Sequence, residues 1–297
     1  MRKHCTLFLL PVLLLSVCFF SCVPQQKATT HKQQLAILDS QLEQHSRKLK
    51  ELDAKRQAKL DQNEIDDTAN NRIRKYIGVT TAEIDKLVAQ NSILIGNTVV
   101  EREDWNKLKK TLVLSQVISK LINDKVNFIN DLINRNMVVK LDQDVLFQPG
   151  KYTVAQEVSD AIGKFFEPAA KEIDMFTQKY PDFPLSLVIT AKGYADGTSI
   201  TEGTPLYKAL VEGVRLSGAN PDNKELNKEL SRKRAAAVIE LFQKYTKDRS
   251  TMGGSVRNIM FVTEGKGDAI PVGKATDYTI DDPRRRVVLL FWSVFPE

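Results

Sequence analysis

The chain has almost no thiol or imidazole chemistry to offer. Its three cysteines, Cys5, Cys18 and Cys22, all lie within the first 22 of 297 residues, and its three histidines are His4, His31 and His45. Beyond Cys22 the absence of thiols excludes a disulfide framework and a cysteine-based metal site. The C-terminal half has no histidine, which removes most His-dependent catalysis and most zinc chemistry there. No nucleophile elbow is visible, so the reading is of a non-enzyme with no metal and no cofactor. Charge of one sign is also scarce. The net charge of +6 falls to +4 if Arg2 and Lys3 are removed. So small a surplus gives no reason to expect a nucleic-acid partner. Long apolar runs are missing too: the longest, Leu7 to Phe20, is too short for a comfortable membrane span. With 42% hydrophobic and 27% charged residues, what remains is enough for a packed core and is not a disordered composition.

Residues 1–21 read as a secretory leader, with Arg2-Lys3 as the basic start and the apolar run behind it. Ser21-Cys22 follows, then the polar Pro24-Gln25-Gln26-Lys27. A small residue before a cysteine, just past an apolar run, resembles a bacterial lipoprotein cleavage site, which makes Cys22 the acylated N-terminus. Leu15-Ser16-Val17-Cys18 is the rival site, with bulky Val17 where a small residue is wanted; a plain secretory signal is the other alternative. Residues 22–32 form a linker. Residues 33–62 read as a long polar helix, because Leu35, Leu38, Leu42, Leu49 and Leu52 keep a 3-4 spacing. It is a coiled-coil-like stalk or oligomerisation helix, or else it packs against later helices of the same chain. Residues 66–135 read as an antiparallel helical subdomain. Asp66 to Tyr76 is a short helix stopped at Gly78, Thr80 and Glu83 form a capping box for the next, and a broad apolar stripe runs from Trp105 to Ile133.

From residue 136 the texture changes to strands alternating with helices. Met137 to Phe147 reads as strands about a turn at Asp142-Gln143, and 153–179 as a helix kinked or split at Pro168. Leu185 to Ala191, Ile259 to Thr263 and Arg286 to Val294 read as strands, with helices at Pro205 to Leu216 and Lys224 to Tyr245. The fold class is α+β: a mixed sheet with helices on one side, behind an α-helical region. In the last helix, Leu230, Ala237, Val238, Leu241 and Tyr245 share one face at about 100° per residue. Arg234 falls in the middle of that face, where a guanidinium needs an anion or a set of acceptors.

Several separated motifs then occur in order: Asp144-Val145-Leu146-Phe147 with Gly150; Gly193-x-x-Asp196-Gly197; Asn227-x-x-Leu230-Ser231-x-x-Arg234-Ala235-x-x-Val238; Gly265-x-Gly267-Asp268-x-x-Pro271; and Arg285-Arg286-Val287. Together they resemble the OmpA-like C-terminal domain shared with peptidoglycan-associated lipoproteins, over residues 136–297. That resemblance implies non-covalent binding of the peptidoglycan stem peptide. Asp196 would pair with the amine of a diamino acid, Arg234 with its carboxylate, and Asn227 would belong to the same ligand-binding set. A planar guanidinium suits a carboxylate by bidentate geometry.

Two departures stand out. Ala195 and Tyr194 occupy the positions before the aspartate where the family has a hydroxyl residue and often a histidine. The segment 198–226 is longer than the family's loop, and its Gly203-Thr204-Pro205-x-Tyr207 resembles the short loop of the lipoprotein branch. That permits a rival register with Arg215 in the arginine role, although Leu-Ser-Gly-Ala-Asn follows it rather than a continuing helix. Arg284, Arg285 and Arg286 read as a solvated strand edge. The expected protein is an outer-membrane lipoprotein on the periplasmic face, held to the membrane by its lipid and to the wall by residues 136–297. The alternative is an envelope scaffold that docks other proteins, or itself, without binding peptidoglycan.

Overall fold

A computed structural model describes residues 25–97, 100–135, 137–142, 146–148, 150–154, 158, 162–215, 221–247, 256–271 and 277–296. The leader, Cys22 and the pair Asp144-Val145 lie outside the described residues. Among those described, six α-helices and a four-stranded mixed sheet form an α+β chain, helices first and strands last: α1 Gln25–Asp61, α2 Asp67–Gly96, α3 Arg102–Asn134, β1 Val138–Asp142, α4 Gly163–Lys179, β2 Leu185–Gly193, α5 Pro205–Arg215, α6 Asn223–Lys247, β3 Val256–Gly265 and β4 Val287–Pro296. No described helix is long and apolar enough to cross a membrane. The chain divides into two compact units, residues 1–52 with 76–129, and residues 53–75 with 130–297.

In the first unit the leucine seam of α1 is covered by its own chain. Ala28 and Leu35 are buried against Leu94 of α2 and Leu108 and Leu112 of α3, with Val100 between the helices. This favours packing within the chain over an exposed oligomerisation seam. A buried polar layer fixes the register. Asn91 donates Nδ2–H to Asp39 Oδ1 at 2.6 Å and accepts from Ser115 Oγ at 2.8 Å, with Asn91 and Ser115 fully buried. Such a layer is satisfied in only one alignment of the three helices. Lys125 reaches both oxygens of Glu83 at 2.7 and 2.6 Å.

Helix α2 corrects the expectation of a break at Gly78. It runs unbroken from Asp67 to Gly96, and Asp66 caps it by accepting from Ala69 N at 2.8 Å. Thr80 is not an N-cap; its Oγ1 donates to the Tyr76 carbonyl at 2.9 Å inside the helix. A glycine in a helix interior costs only about 1 kcal/mol. The continuous buried stripe of Ile73, Ile77, Ile84 and Leu87 outweighs that cost.

In the second unit the strand order is β1-β4-β2-β3, with β2 and β3 parallel and the other pairs antiparallel. Among the described residues from Met137 to Phe147 there is one strand, β1, where two about a turn were expected. Helix α4 continues through Pro168 without dividing. Central β4 is buried at every position from Val287 to Phe295, including Trp292. A strand buried on both faces needs cover on both. Helices α4 and α6 supply one layer. The other face is not open, as the one-sided arrangement expected: Lys192 of β2 meets Asp67 at 3.1 Å, and the Arg72 guanidinium lies 5.3 Å from the Phe295 ring centre. Tyr194 joins Val287, Leu289 and Phe291 in a cluster of that second face, where burial pushes its phenol up to about 12.

Candidate functional site

Helix α6 is started by a reciprocal capping box. Asp222 Oδ1 accepts from Glu225 N at 2.8 Å, and Glu225 Oε2 accepts from Asp222 N at 3.0 Å. Its buried face carries Asn227, Leu230, Ser231, Arg234, Ala235, Val238, Ile239 and Phe242. The stripe thus passes through Ile239 and Phe242 rather than Ala237 and Leu241, and Arg234 still sits at its centre, 7% exposed.

Two glycines let this helix lie directly on the sheet. Gly193 and Gly265 end β2 and β3 and are paired in register. A Cβ at Gly193 would stand 2.0 Å from the Ser231 carbonyl oxygen, and one at Gly265 would stand 2.1 Å from that of Lys228. Real Cβ atoms do not approach backbone so closely, so any larger residue forces the helix away. Ser231 Oγ accepts from Gly267 N at 3.0 Å, and Gly267 adopts φ +58°, a backbone conformation open to glycine. The Gly267 carbonyl accepts from Ala195 N at 2.7 Å, and Tyr194 N donates to Val287 O at 2.9 Å. These bonds fix the chain where Asp196 leaves the sheet.

Asp196 and Arg234 line one cavity of ≈ 480 Å³, together with Asn227, Phe147, Lys151 and Arg286. Arg234 donates Nε–H to the Lys151 carbonyl at 3.1 Å, and its guanidinium lies 5.5 Å from the Phe147 ring centre. Asp196 does not rest on Arg234. Its Oδ2 lies 3.6 Å from Arg286 Nη1, and its Oδ1 accepts from Thr198 N at 3.2 Å and from the Thr198 hydroxyl. The physical reason is the sheet: Val287 beside Tyr194 brings Arg286 to the end of β2.

Asn227 is 2% exposed, and its amide donates to the Thr198 carbonyl at 3.1 Å. It thus holds the loop that carries Asp196 while itself lining the cavity. Of the three consecutive arginines, Arg284 pairs with Asp282 at 2.6 Å and Asp277 at 3.1 Å, and Arg285 donates to the carbonyls of Thr279 and Asp268. Only Arg286 reaches the cavity, and a solvated strand edge does not describe it. The rival arginine, Arg215, is the last described residue of α5, whereas Arg234 lies in mid-helix.

Among the described residues the cavity gathers the Asp196 carboxylate, the Arg234 and Arg286 guanidiniums and Lys151, groups of both signs that suit a ligand carrying an anion and a cation. No group of side chains suited to a metal ion occurs among the described residues. Comparison with known proteins supplies no relative: no family model matches the chain, and no curated protein or solved structure is significantly similar to it.

Proposed function

We propose that this chain is an outer-membrane lipoprotein that binds peptidoglycan non-covalently and tethers the membrane to the cell wall, without catalysis. The observation that carries this reading is that Asp196 and Arg234, drawn from motifs 38 positions apart in the sequence, line the same cavity, with the arginine almost fully buried. A diamino acid of a stem peptide offers an ammonium for Asp196 and a carboxylate for Arg234. Arg286 acts as the resting counter-ion of Asp196. It is one-third exposed and 3.6 Å away, so a ligand ammonium can replace it at little cost. Lipidation at Cys22 supplies the membrane attachment, and α1 to α3 follow it in the sequence.

One observation favours the scaffold alternative. Asp196 already has its charge matched by Arg286, as it would in a site that has given up its ligand. Sacculus sedimentation separates the two readings. The wild-type chain should co-sediment with purified sacculi, and Asp196→Ala and Arg234→Ala should each lower the bound fraction at least tenfold, the loss expected of one charge-assisted pair. A wild-type chain that stays in the supernatant, yet crosslinks to a defined envelope protein, supports the scaffold instead.

A further inference from the structure

We infer that residues 198–206 form the specificity wall of the site, in which Ile200 and Leu206 select a ligand by the length of the aliphatic chain between its charged groups. The inference rests on the peptide-binding reading above.

The cavity is not bounded by the sheet end and α6 alone. Ile200, Thr201, Thr204, Pro205 and Leu206 line it as well. These residues belong to the long segment that sets this chain apart in sequence, and they are fixed in place before any ligand arrives. Asn223 accepts from Ile200 N at 2.8 Å and donates to the Thr198 carbonyl at 3.3 Å. Thr204 starts α5, its Oγ1 accepting from Tyr207 N at 3.2 Å. Leu210 and Val211 of α5 are buried against Leu226 and Leu230 of α6, and Ile200, Leu206 and Tyr207 pack on that cluster. Gly213 permits the close approach, since a Cβ there would stand 2.6 Å from Glu229 Oε1.

The charged contacts of the cavity come from Asp196, Arg234 and Arg286, while the segment contributes apolar surface through Ile200 and Leu206. Together with Phe147 and Leu230, that surface is what the methylenes of a bound diamino acid would meet. A rigid apolar lining discriminates chain length, and one methylene is worth about tenfold or more in such a pocket. Because the wall is already ordered, little of that selectivity is spent on arranging it.

Calorimetric titration of the full-length chain, purified as the cell processes it, tests the inference. The probes are four synthetic stem peptides that carry lysine, ornithine, diaminopimelate or diaminoadipate at the diamino position, two pairs differing by one methylene. Within the pair that binds, wild type should prefer one member about tenfold. Leu206→Ala and Ile200→Ala should each cut that preference to about threefold or less while retaining measurable binding, whereas Arg234→Ala should lose both members. The near-ultraviolet circular dichroism of both wall variants should match wild type. An unchanged preference in Leu206→Ala and Ile200→Ala overturns the inference alone, as does a wild-type chain that binds without preference. A wild-type chain that binds none of the four overturns the peptide-binding reading and this inference with it.

Discussion

Replacing Gly193 by alanine should disrupt the C-terminal unit far more than a single methyl group normally does. The added Cβ would stand 2.0 Å from the Ser231 carbonyl oxygen and 2.8 Å from its carbon. Both are backbone atoms, so no rotamer change relieves the clash, and α6 must move by about 1.5 Å to restore ordinary contact. Overpacking of this kind costs about 1–3 kcal/mol or more. The displacement also strains the Ser231 Oγ bond to Gly267 N, a buried hydrogen bond worth about 1 kcal/mol. The expected loss is therefore about 2–4 kcal/mol. Urea unfolding followed by Trp292 fluorescence, in a Trp105→Phe background, reports on the unit that holds the site. Gly78→Ala, in the helical unit and followed by Trp105 fluorescence in a Trp292→Phe background, is the control. Nothing lies within 4 Å of that added methyl in mid-helix, so it should stabilise by about 0.5–1 kcal/mol. A Gly193→Ala variant within about 0.5 kcal/mol of wild type would refute the close approach of helix and strand on which the site geometry depends.

Ser115→Ala leaves the buried Asn91 carbonyl oxygen without its donor and should destabilise the helical unit by about 1–3 kcal/mol in thermal unfolding, whereas an exposed Ser92→Ala should change it little. Asp67 offers a pH test. The Lys192 ammonium holds its carboxyl below the usual carboxylate range, so the stabilisation is complete above the unfolded carboxylate value and fades as pH falls through the lowered one. Wild type should thus exceed Asp67→Asn near neutrality by under about 1 kcal/mol, because Asp67 is largely exposed, and the two denaturation curves should converge in strong acid. A gap that persists there would contradict the pairing.

What the sequence revealed follows physical lines. Arg234 was legible because helical periodicity alone puts a charge on an apolar face, and the folded chain keeps it there. Asp196 came only from the resemblance carried by the Gly193-x-x-Asp196 motif, because an Asp-Gly pair after a strand reads equally well as a plain turn. Arg286 was not, because three successive arginines look alike until β4 pairs with β2 and brings only one of them to Asp196. The division of α2 was misread because local signals at Gly78 and Thr80 resemble a stop and a start, while the buried stripe that overrides them is set by packing. The cover on the second sheet face comes from residues 53–75, more than a hundred positions before β2, a distance over which periodicity carries no information. The Asp222-x-x-Glu225 box, by contrast, was present in the sequence and marks the true start of α6.

The central claim is that Asp196 and Arg234 hold opposite ends of one wall-peptide residue. A double-mutant cycle on sacculus binding measures it most directly, using Asp196→Ala, Arg234→Ala and the double variant, each checked for native circular dichroism. The account predicts that each single variant loses at least tenfold and that the double variant loses little more, since two halves of a clamp on one ligand group are coupled. Native-folded single variants that bind sacculi as wild type does would contradict it.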